Sequence, residues 1–210
     1  MIAKNEILIV DYDAGNLHSV QRACREVGMA AEICADPDRL RHATRVVFPG
    51  VGAAGSAMRS LVERGLDAAL REVIDAGKPV LGICLGLQIS LEYSQENETQ
   101  TLGVIPGQVC RFHLDDPELK VPHMGWNEVR VVKEHPVLAG IDAGDEFYFV
   151  HGYFPKPAEQ DSVLAVTVYE QAFASALGKN NYVATQFHPE KSGRVGLRLI
   201  DNFSRWTGDA

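Results

Sequence analysis

One cysteine stands where an apolar run gives way to a helix-like segment, in "VLGICLGLQ" at residues 80–88. Gly82 and Gly86 lie two positions to either side of Cys84, the spacing of a nucleophile on a sharp turn from strand to helix. Side chains at these glycine positions would collide in such a turn. The turn presents the sulfur at a sheet's carboxyl edge and at a helix N-terminus, which favours the thiolate. Cys84 is the predicted nucleophile of an acyl transfer, and a buried structural cysteine is the alternative.

A nucleophilic cysteine needs a base, and the base needs a group that orients it. Of the seven histidines, His188 in "ATQFHPEKSG" ends a strand-like run. Pro189 restricts His188 to an extended backbone, so Glu190 lies on the same side two residues later. The Glu190 carboxylate can then accept the imidazole N–H and fix the tautomer. A surface His-Pro-Glu turn is the alternative, and the presence of Cys84 favours the catalytic interpretation.

Acyl transfer also requires hydrogen-bond donors for the oxyanion. The backbone N–H of Leu85, next to the nucleophile, is the natural first donor. The glycine-rich "FPGVGAAGS" (48–56) follows a strand and can supply a second donor from its free amides. It is not a phosphate loop, because it lacks the Gly-Lys-Ser/Thr ending. A flexible turn is the alternative for this segment.

The elements that must position these residues alternate in the first half of the chain. Helical spacing predicts one amphipathic helix over 56–76 and another over 85–95, and Asn16 is the predicted cap of a first helix that Gly28 ends. Apolar, β-branched runs predict strands over 6–11, 30–34, 45–50 and 78–83. Such alternation indicates a parallel sheet with helices on both faces.

The second half is rich in strand-like segments with little helix between them. These are 107–112, 126–132, 146–154, 162–169 and 181–188, before a last helix over 192–206. They favour an antiparallel extension of the same sheet. The fold class is therefore predicted as α/β, a mostly parallel central sheet flanked by helices with an antiparallel extension, in a single domain over 1–210.

Composition narrows the function classes. The chain has 210 residues, 46% of them hydrophobic, and a net charge of -8, which argues against nucleic-acid binding. The four cysteines are widely spaced, so neither a disulfide framework nor a metal site is expected. The N-terminus lacks the apolar run of a signal peptide, and no segment reaches 18 uninterrupted apolar residues. We expect a cytoplasmic protein with no membrane contact, no metal and no organic cofactor.

Seven motifs, spread in order over nearly the whole chain, carry a family resemblance. They are "DYDAGNLHSV" (11–20), "PGVGA" (49–53), "GICLGLQ" (82–88), "GVIPGQVCRF" (103–112), "VPHMGWN" (121–127), "YFVHGYF" (148–154) and "QFHPEKSG" (186–193). Together they resemble the class I triad glutamine amidotransferases, and within these the glutaminase subunits of imidazole glycerol phosphate synthases. "GICLGLQ" and "HPE" indicate only the chemistry, whereas "PHMGWN" and "YFVHGY" indicate the subtype.

The resemblance implies a role for each matching position. Cys84 attacks the side-chain amide of glutamine, His188 moves the proton and Glu190 holds His188. The oxyanion hole uses the amide of Leu85 and one from Val51 or Gly52. The implied glutamine-binding residues are Gly50, Gln88, Glu96, Gly152 and Tyr153. Two positions depart from the pattern: Gly152 stands where Ser or Thr is common, and Asp13 stands where Gly is common.

The resemblance also implies a partner, a (β/α)8-barrel cyclase subunit in a heterodimer. The cyclase would use the ammonia to form imidazole glycerol phosphate and an aminoimidazole carboxamide ribotide in histidine biosynthesis. The implied partner-interface residues are Met124, Trp126, Asn127, Tyr148 and Lys191. Two alternatives stay open, a paralogous glutaminase that feeds another synthase and a non-catalytic regulatory domain on this fold. The complete set of Cys84, His188 and Glu190 argues against the second.

Overall fold

A computed structural model describes residues 6–209, so residues 1–5 and 210 of the predicted domain lie outside the described part. The strands are β1 (Glu6–Val10), β2 (Ala30–Cys34), β3 (Val46–Gly50), β4 (Val80–Cys84), β5 (Tyr93–Ser94), β6 (Thr99–Gln100), β7 (Gly107–Arg111), β8 (His123–Glu128), β9 (Arg130–Val131), β10 (Glu146–His151), β11 (Tyr153–Pro157), β12 (Val163–Tyr169), β13 (Gln171–Lys179) and β14 (Tyr182–Thr185). The α-helices are α1 (Leu17–Glu26), α2 (Pro37–Arg41), α3 (Ala54–Glu63), α4 (Leu66–Asp75), α5 (Leu85–Ser90) and α6 (Gly193–Arg205).

Within residues 6–209, eight strands form the central sheet, in the order β2-β1-β3-β4-β14-β13-β12-β9. The first five run parallel, and β13, β12 and β9 continue the sheet antiparallel. The predicted fold class, with its antiparallel extension, is confirmed. The pairing of β14 with β4 matters most for function, because it places the carboxyl ends of these two strands side by side.

Helices cover both faces of the sheet, as its apolar strands require. In β1, Ile7 and Ile9 pack into one core with α1 and α6, and Leu8 and Val10 pack into a second core with α3, α4 and α5. This alternation follows from the two-residue period of a strand. No helix among residues 6–209 is long and apolar enough to cross a membrane.

The prediction of one continuous helix over 56–76 was wrong. The segment forms two helices, α3 and α4, because Gly65 adopts a left-handed backbone with φ 68° at the break. Arg64 and Gly65 close the end of α3 through hydrogen bonds to carbonyls of its last turn. Apolar periodicity continues across the break, since both helices bury a face in the same core.

The helix predicted over 85–95 was also too long. It ends at Ser90, and Leu91 is already extended. The following residues form β5, which pairs with β6 and β7, and these three strands join β11 in a separate four-stranded sheet. Strand pairing therefore overrides the helical pattern of this segment.

Three strand predictions differ in extent from the structure. The strand predicted over 146–154 is two strands, because Gly152 separates β10 from β11 and they pair in different sheets. The strand predicted over 126–132 begins earlier, as β8, which pairs with β10, and β9 follows it. The strand predicted over 181–188 ends at Thr185.

Pattern analysis missed β13, the longest strand, although it lies between β12 and β14. Its sequence "QAFASALGK" is rich in small residues with weak strand propensity. The pairing partners on both sides, and not local preference, hold it in the sheet.

Candidate active site

The nucleophile turn is built by close packing around Cys84. Cys84 ends β4 and precedes α5 with φ 54° and ψ −102°, a strained conformation for a residue with a side chain. A Cβ atom at Gly86 would overlap the carbonyl oxygen of Phe48, and one at Gly82 would lie 2.6 Å from the hydroxyl of Tyr182. Only glycine fits at these two positions, so the turn presents the sulfur in one fixed place.

The structure brings His188 and Glu190 into direct contact. Nδ1 of His188 donates to Oε1 of Glu190 at 2.7 Å, and both side chains are buried. Nε2 of His188 and Oε2 of Glu190 have no hydrogen-bond partner within residues 6–209. Because Nδ1 is committed to the carboxylate, Nε2 is the nitrogen that remains to exchange a proton.

Asn16 contributes to the same group. It occupies the predicted N-cap position of α1, but the side-chain cap expected there is absent. Its backbone is left-handed with φ 71°, and its side chain makes no capping hydrogen bond. Instead, Nδ2 of Asn16 donates to Oε1 of Glu190 at 2.5 Å. The carboxylate oxygen that holds His188 is thereby held from a second side, by a residue 174 positions away.

The charges around His188 favour its protonated form. Burial by itself would lower the pKa of His188, but the charge of neighbouring Cys84 and the bond and charge of Glu190 raise this pKa to about 10. An imidazolium beside a thiol stabilises the thiolate, which is the reactive form of a cysteine. The arrangement can therefore hold Cys84 ready to attack a carbonyl carbon and can return a proton to a leaving group.

Two buried glutamines connect the cysteine to the opposite wall of the site. Nε2 of Gln186 lies 3.7 Å from the sulfur of Cys84, and Oε1 of Gln186 accepts from Nε2 of Gln88 at 3.1 Å. The same nitrogen of Gln88 donates to the backbone carbonyl of Tyr153 at 2.9 Å. The predicted binding residue Gln88 thus uses its amide hydrogens to brace the site, and its oxygen is turned away from these bonds.

A cavity of about 290 Å³ opens beside Cys84. That volume lies near the lower end for small-molecule sites, roughly 300 Å³, and suits an amino-acid-sized ligand. The structure gathers most of the predicted site at its walls, namely Cys84, Leu85, Val51, Gly52, Gln88, Glu96, Gly152 and Tyr153. Gly50 is buried at the end of β3, where a Cβ atom would overlap the hydroxyl of Tyr12.

Glu96 is tied to the glycine-rich loop on the other side of the cavity. Its Oε2 accepts from the backbone N–H of Ala54, the first residue of α3, at 2.8 Å. A carboxylate is stabilised by the positive end of a helix. This bond anchors the end of the loop that carries Val51 and Gly52, both of which are exposed.

The two departures from the family pattern have structural accounts. Asp13 has φ 69°, a conformation that suits glycine, and its carboxylate forms an ion pair with Arg64. At Gly152 a Cβ atom would meet only Val121 Cγ1, at 3.4 Å, which is ordinary contact. The space at Gly152 therefore does not exclude a Cβ atom.

The predicted interface residues lie on or near the two-stranded sheet of β8 and β10. Met124 and Trp126 are 63% and 53% exposed on the outer face of β8. The Tyr148 ring packs against Trp126 at 6.2 Å between centroids, and Lys191 Nζ lies 5.8 Å from the Tyr148 ring. Asn127 differs, because its side chain points inward to His123 and to the carbonyl of Val168.

Pattern analysis assigned no site role to several residues that the structure places here. They are Asn16, Gln186 and the cavity-lining Pro122, Val150 and His151. Pro122 and Val150–His151 fall inside "VPHMGWN" and "YFVHGY", and Gln186 begins "QFHPE". The motifs marked these segments, but only the fold shows which of their side chains face the cavity. No group of three or more potential metal ligands occurs within the described residues.

Comparisons with known proteins agree with this geometry. A family model described as glutamine amidotransferase class-I matches residues 8–205. A relative named imidazole glycerol phosphate synthase subunit HisH, from Nitratidesulfovibrio vulgaris (strain DP4), is 49% identical, covering 97% of this chain and 98% of the relative. A protein of the same name from Desulfovibrio desulfuricans is 51% identical over 94% of this chain and 93% of its own.

Solved structures show the same fold at lower identity. A structure described as glutamine amidotransferase has a TM-score of 0.74 and 17% identity, covering 94% of this chain and 98% of that one. A chain from the structure of PurLQS from Thermotoga maritima has a TM-score of 0.73 and 16% identity, covering 94% and 96% respectively.

Proposed function

The chain belongs to the glutamine amidotransferase class-I family, and on that premise we propose that it is the glutaminase subunit of an imidazole glycerol phosphate synthase. It hydrolyses glutamine to glutamate and ammonia and supplies the ammonia for histidine biosynthesis. The observation that carries the chemistry is the strained Cys84 turn beside the buried His188–Glu190 pair, at the wall of an amino-acid-sized cavity. The full-length relatives named for this synthase carry the subtype.

The reaction begins when the Cys84 thiolate attacks the side-chain amide carbon of glutamine. The oxyanion that forms accepts hydrogen bonds from the Leu85 N–H and from the N–H of Val51 or Gly52. His188 donates its proton to the departing nitrogen, and ammonia leaves a glutamyl thioester on Cys84. His188 then takes a proton from water, which attacks the thioester, releases glutamate and restores the Cys84 thiolate beside protonated His188. Glu190 keeps the imidazole in place throughout.

Substrate binding uses the opposite walls of the cavity. Gln88 and Glu96 contact the α-substituents of glutamine, and the carboxylate of Glu96 suits an ammonium group. The backbone of Gly152 and Tyr153 lies along the other side, and Gly50, whose missing side chain leaves room for Tyr12, precedes the loop residues Val51 and Gly52. These assignments follow the family pattern, and the lining of the cavity supports them.

The ammonia passes to a (β/α)8-barrel cyclase subunit in a heterodimer. The exposed face of β8, with Met124 and Trp126, supports a partner here, because large apolar side chains on a surface commonly mark an interface. Tyr148 and Lys191 complete the proposed contact region, and Asn127 supports it from the inner face of β8. We further propose that residues 1–210 form one domain, which works in the cytoplasm, where the four free cysteines stay reduced.

The test is a glutaminase assay of the full chain, with and without the barrel cyclase and the cyclase's nucleotide ligand. We expect slow turnover alone and strong acceleration by the loaded cyclase. Full activity of the chain alone, indifferent to the cyclase, would contradict the subtype but not the chemistry. Specific co-purification with a different synthase would instead indicate a paralogous pathway.

A further inference from the structure

Two buried histidines outside the catalytic set form a continuous hydrogen-bonded chain. Nδ2 of Asn127 lies 3.2 Å from Nε2 of His123, and Nδ1 of His123 lies 3.1 Å from Nε2 of His151. Nδ1 of His151 then lies 2.8 Å from the carbonyl oxygen of Tyr153. The chain crosses from β8 through β10 to the first residue of β11, at the wall of the cavity.

The chemistry of its ends fixes the direction of every bond. A carbonyl only accepts, so Nδ1 of His151 must donate to Tyr153, and in a neutral ring Nε2 of His151 must then accept. His123 therefore donates from Nδ1 and accepts at Nε2. Asn127 supplies that last proton, since its Nδ2 also donates to the Val168 carbonyl and its Oδ1 accepts from the Glu128 N–H. All members donate toward the cavity.

The surroundings of the two rings keep them neutral and fixed. His123 stacks between Phe149 and Tyr169, with centroids 4.9 Å and 4.0 Å away. Burial lowers the pKa of His123 to about 4 and, with smaller contributions from its neighbours, lowers the pKa of His151 to about 3. Both rings are therefore uncharged at neutral pH, as the chain of single donors requires.

The hydrogen-bonded chain of side chains ends on the same backbone carbonyl that Gln88 contacts in the substrate site. The Tyr153 carbonyl accepts from His151 and also from Gln88, which holds Gln186 beside Cys84. Without His123, Nδ1 of His151 still donates to the Tyr153 carbonyl, but Nε2 is left buried with no donor. A proton donated to Nε2 polarises the ring and strengthens the Nδ1–H bond to Tyr153, so loss of His123 weakens one of the two bonds that hold this carbonyl.

We propose that His123 and His151 are positioning residues, which set the Tyr153 backbone and Gln88 for glutamine binding through one directed chain of hydrogen bonds. This inference rests on the proposed glutaminase function, because it assigns these side chains to the glutamine cavity. His123 does not line the cavity, so it acts only through His151. Asn127 extends the chain to the inner face of β8, directly beneath the exposed face that carries Trp126.

The first test reads the tautomers of the unmodified protein. Long-range proton–nitrogen NMR correlations of histidine-labelled full-length chain should show Nδ1–H for both His123 and His151 at neutral pH. In the variant His123→Phe, which keeps an aromatic ring between Phe149 and Tyr169, the Nδ1–H proton signal of His151 should move upfield, because its hydrogen bond to Tyr153 is weakened. A wild-type His151 protonated on Nε2 would overturn the proposal, whether or not the variant folds.

The second test measures glutamine binding through the alkylation of Cys84 by iodoacetamide, followed by mass spectrometry of the Cys84 peptide. For each variant, the alkylation rate with glutamine is divided by the rate without glutamine, so that differences in thiol reactivity cancel. The quantity compared between variants is the glutamine concentration that halves this rate. Loss of one net hydrogen bond, worth about 1 kcal/mol, should raise this concentration about fivefold in His123→Phe. An unchanged concentration would overturn the proposal.

His135→Phe is the matched control. His135 is also a buried histidine whose pKa burial lowers to about 4, but it packs on Trp206 and lies outside the cavity lining. It should leave glutamine protection unchanged, and an equal rise in both variants would contradict a specific role for His123. If glutamine fails to protect wild-type Cys84 at all, the proposed glutaminase function fails instead, while the tautomer result still stands on its own.

Discussion

The nucleophile turn and the glycine-rich loop that shares its cavity are held very differently. At the turn, Cys84 is only 6% exposed, and the positions of Gly82 and Gly86 are filled to contact by Tyr182 and Phe48. In the loop, Val51 is 37% exposed, and a Cβ atom at Gly52 would meet nothing within 4 Å. One half of the catalytic machinery is enclosed by the core, and the other half lies at the surface.

This difference assigns the two halves different duties. Close packing fixes the direction of the Cys84 sulfur, because a rotated turn would clash with the atoms packed around it. The loop is anchored mainly at its ends, by β3 and by the bond from Ala54 to Glu96. Between these anchors, Val51 and Gly52 lie at the surface and are not packed into the core.

Substitution of Cys84, the nucleophile on the tightly packed turn, should change activity most. Cys84→Ala should lower glutaminase activity by at least about 10,000-fold, since no other group can form the thioester. The melting temperature should change little, because alanine carries the same backbone strain. The assay needs the loaded cyclase, so that wild-type turnover is fast. Cys110→Ala, at a half-buried cysteine in β7, is the control and should keep activity. Residual turnover in Cys84→Ala would remove Cys84 from its role.

The second prediction compares the packing of the two regions directly. Gly86→Ala should destabilise the protein by about 3 kcal/mol, because the new methyl group overlaps the backbone of Phe48. Gly52→Ala should cost only about 1 kcal/mol, from the strain of its φ of 99° in open space. Urea denaturation gives both values. Equal losses of unfolding free energy would refute the contrast between the turn and the loop.

The third prediction, with the smallest expected change, concerns the pKa of His188 beside Cys84. The pKa of His188 should fall from about 10 in Cys84→Ala, because the charge of Cys84 is the largest of the contributions that raise it. NMR titration of the His188 ring measures this pKa in both proteins. An unchanged pKa would mean that Glu190 alone holds the proton.

The raised pKa also has a defined sign for stability. The folded protein binds the His188 proton more tightly than the unfolded chain, whose histidine has a pKa near 6.5. The resulting stabilisation is fully present below pH 6.5 and is lost as the pH rises through about 10. The wild-type protein should therefore lose more unfolding free energy than Cys84→Ala over this range.

Much of the candidate site could be predicted from the spacing of neighbouring residues. The glycines around Cys84 and the His188-Pro-Glu190 segment act over a few residues, where steric and backbone rules apply directly. Helix ends and strand extents were less predictable. The left-handed Gly65 split one amphipathic pattern into two helices, and strand pairing overrode a helical pattern after Ser90.

Local residue patterns are sufficient to predict the nucleophile turn, the oriented histidine and the alternation of strands and helices, because each depends on residues close together in the chain. The three-dimensional fold was needed to show that Asn16 holds Glu190 and that His123 contacts His151. Those contacts depend on which strands are neighbours. The parallel pairing of β14 with β4 brings His188 to Cys84, and no local pattern in either strand specifies that pairing.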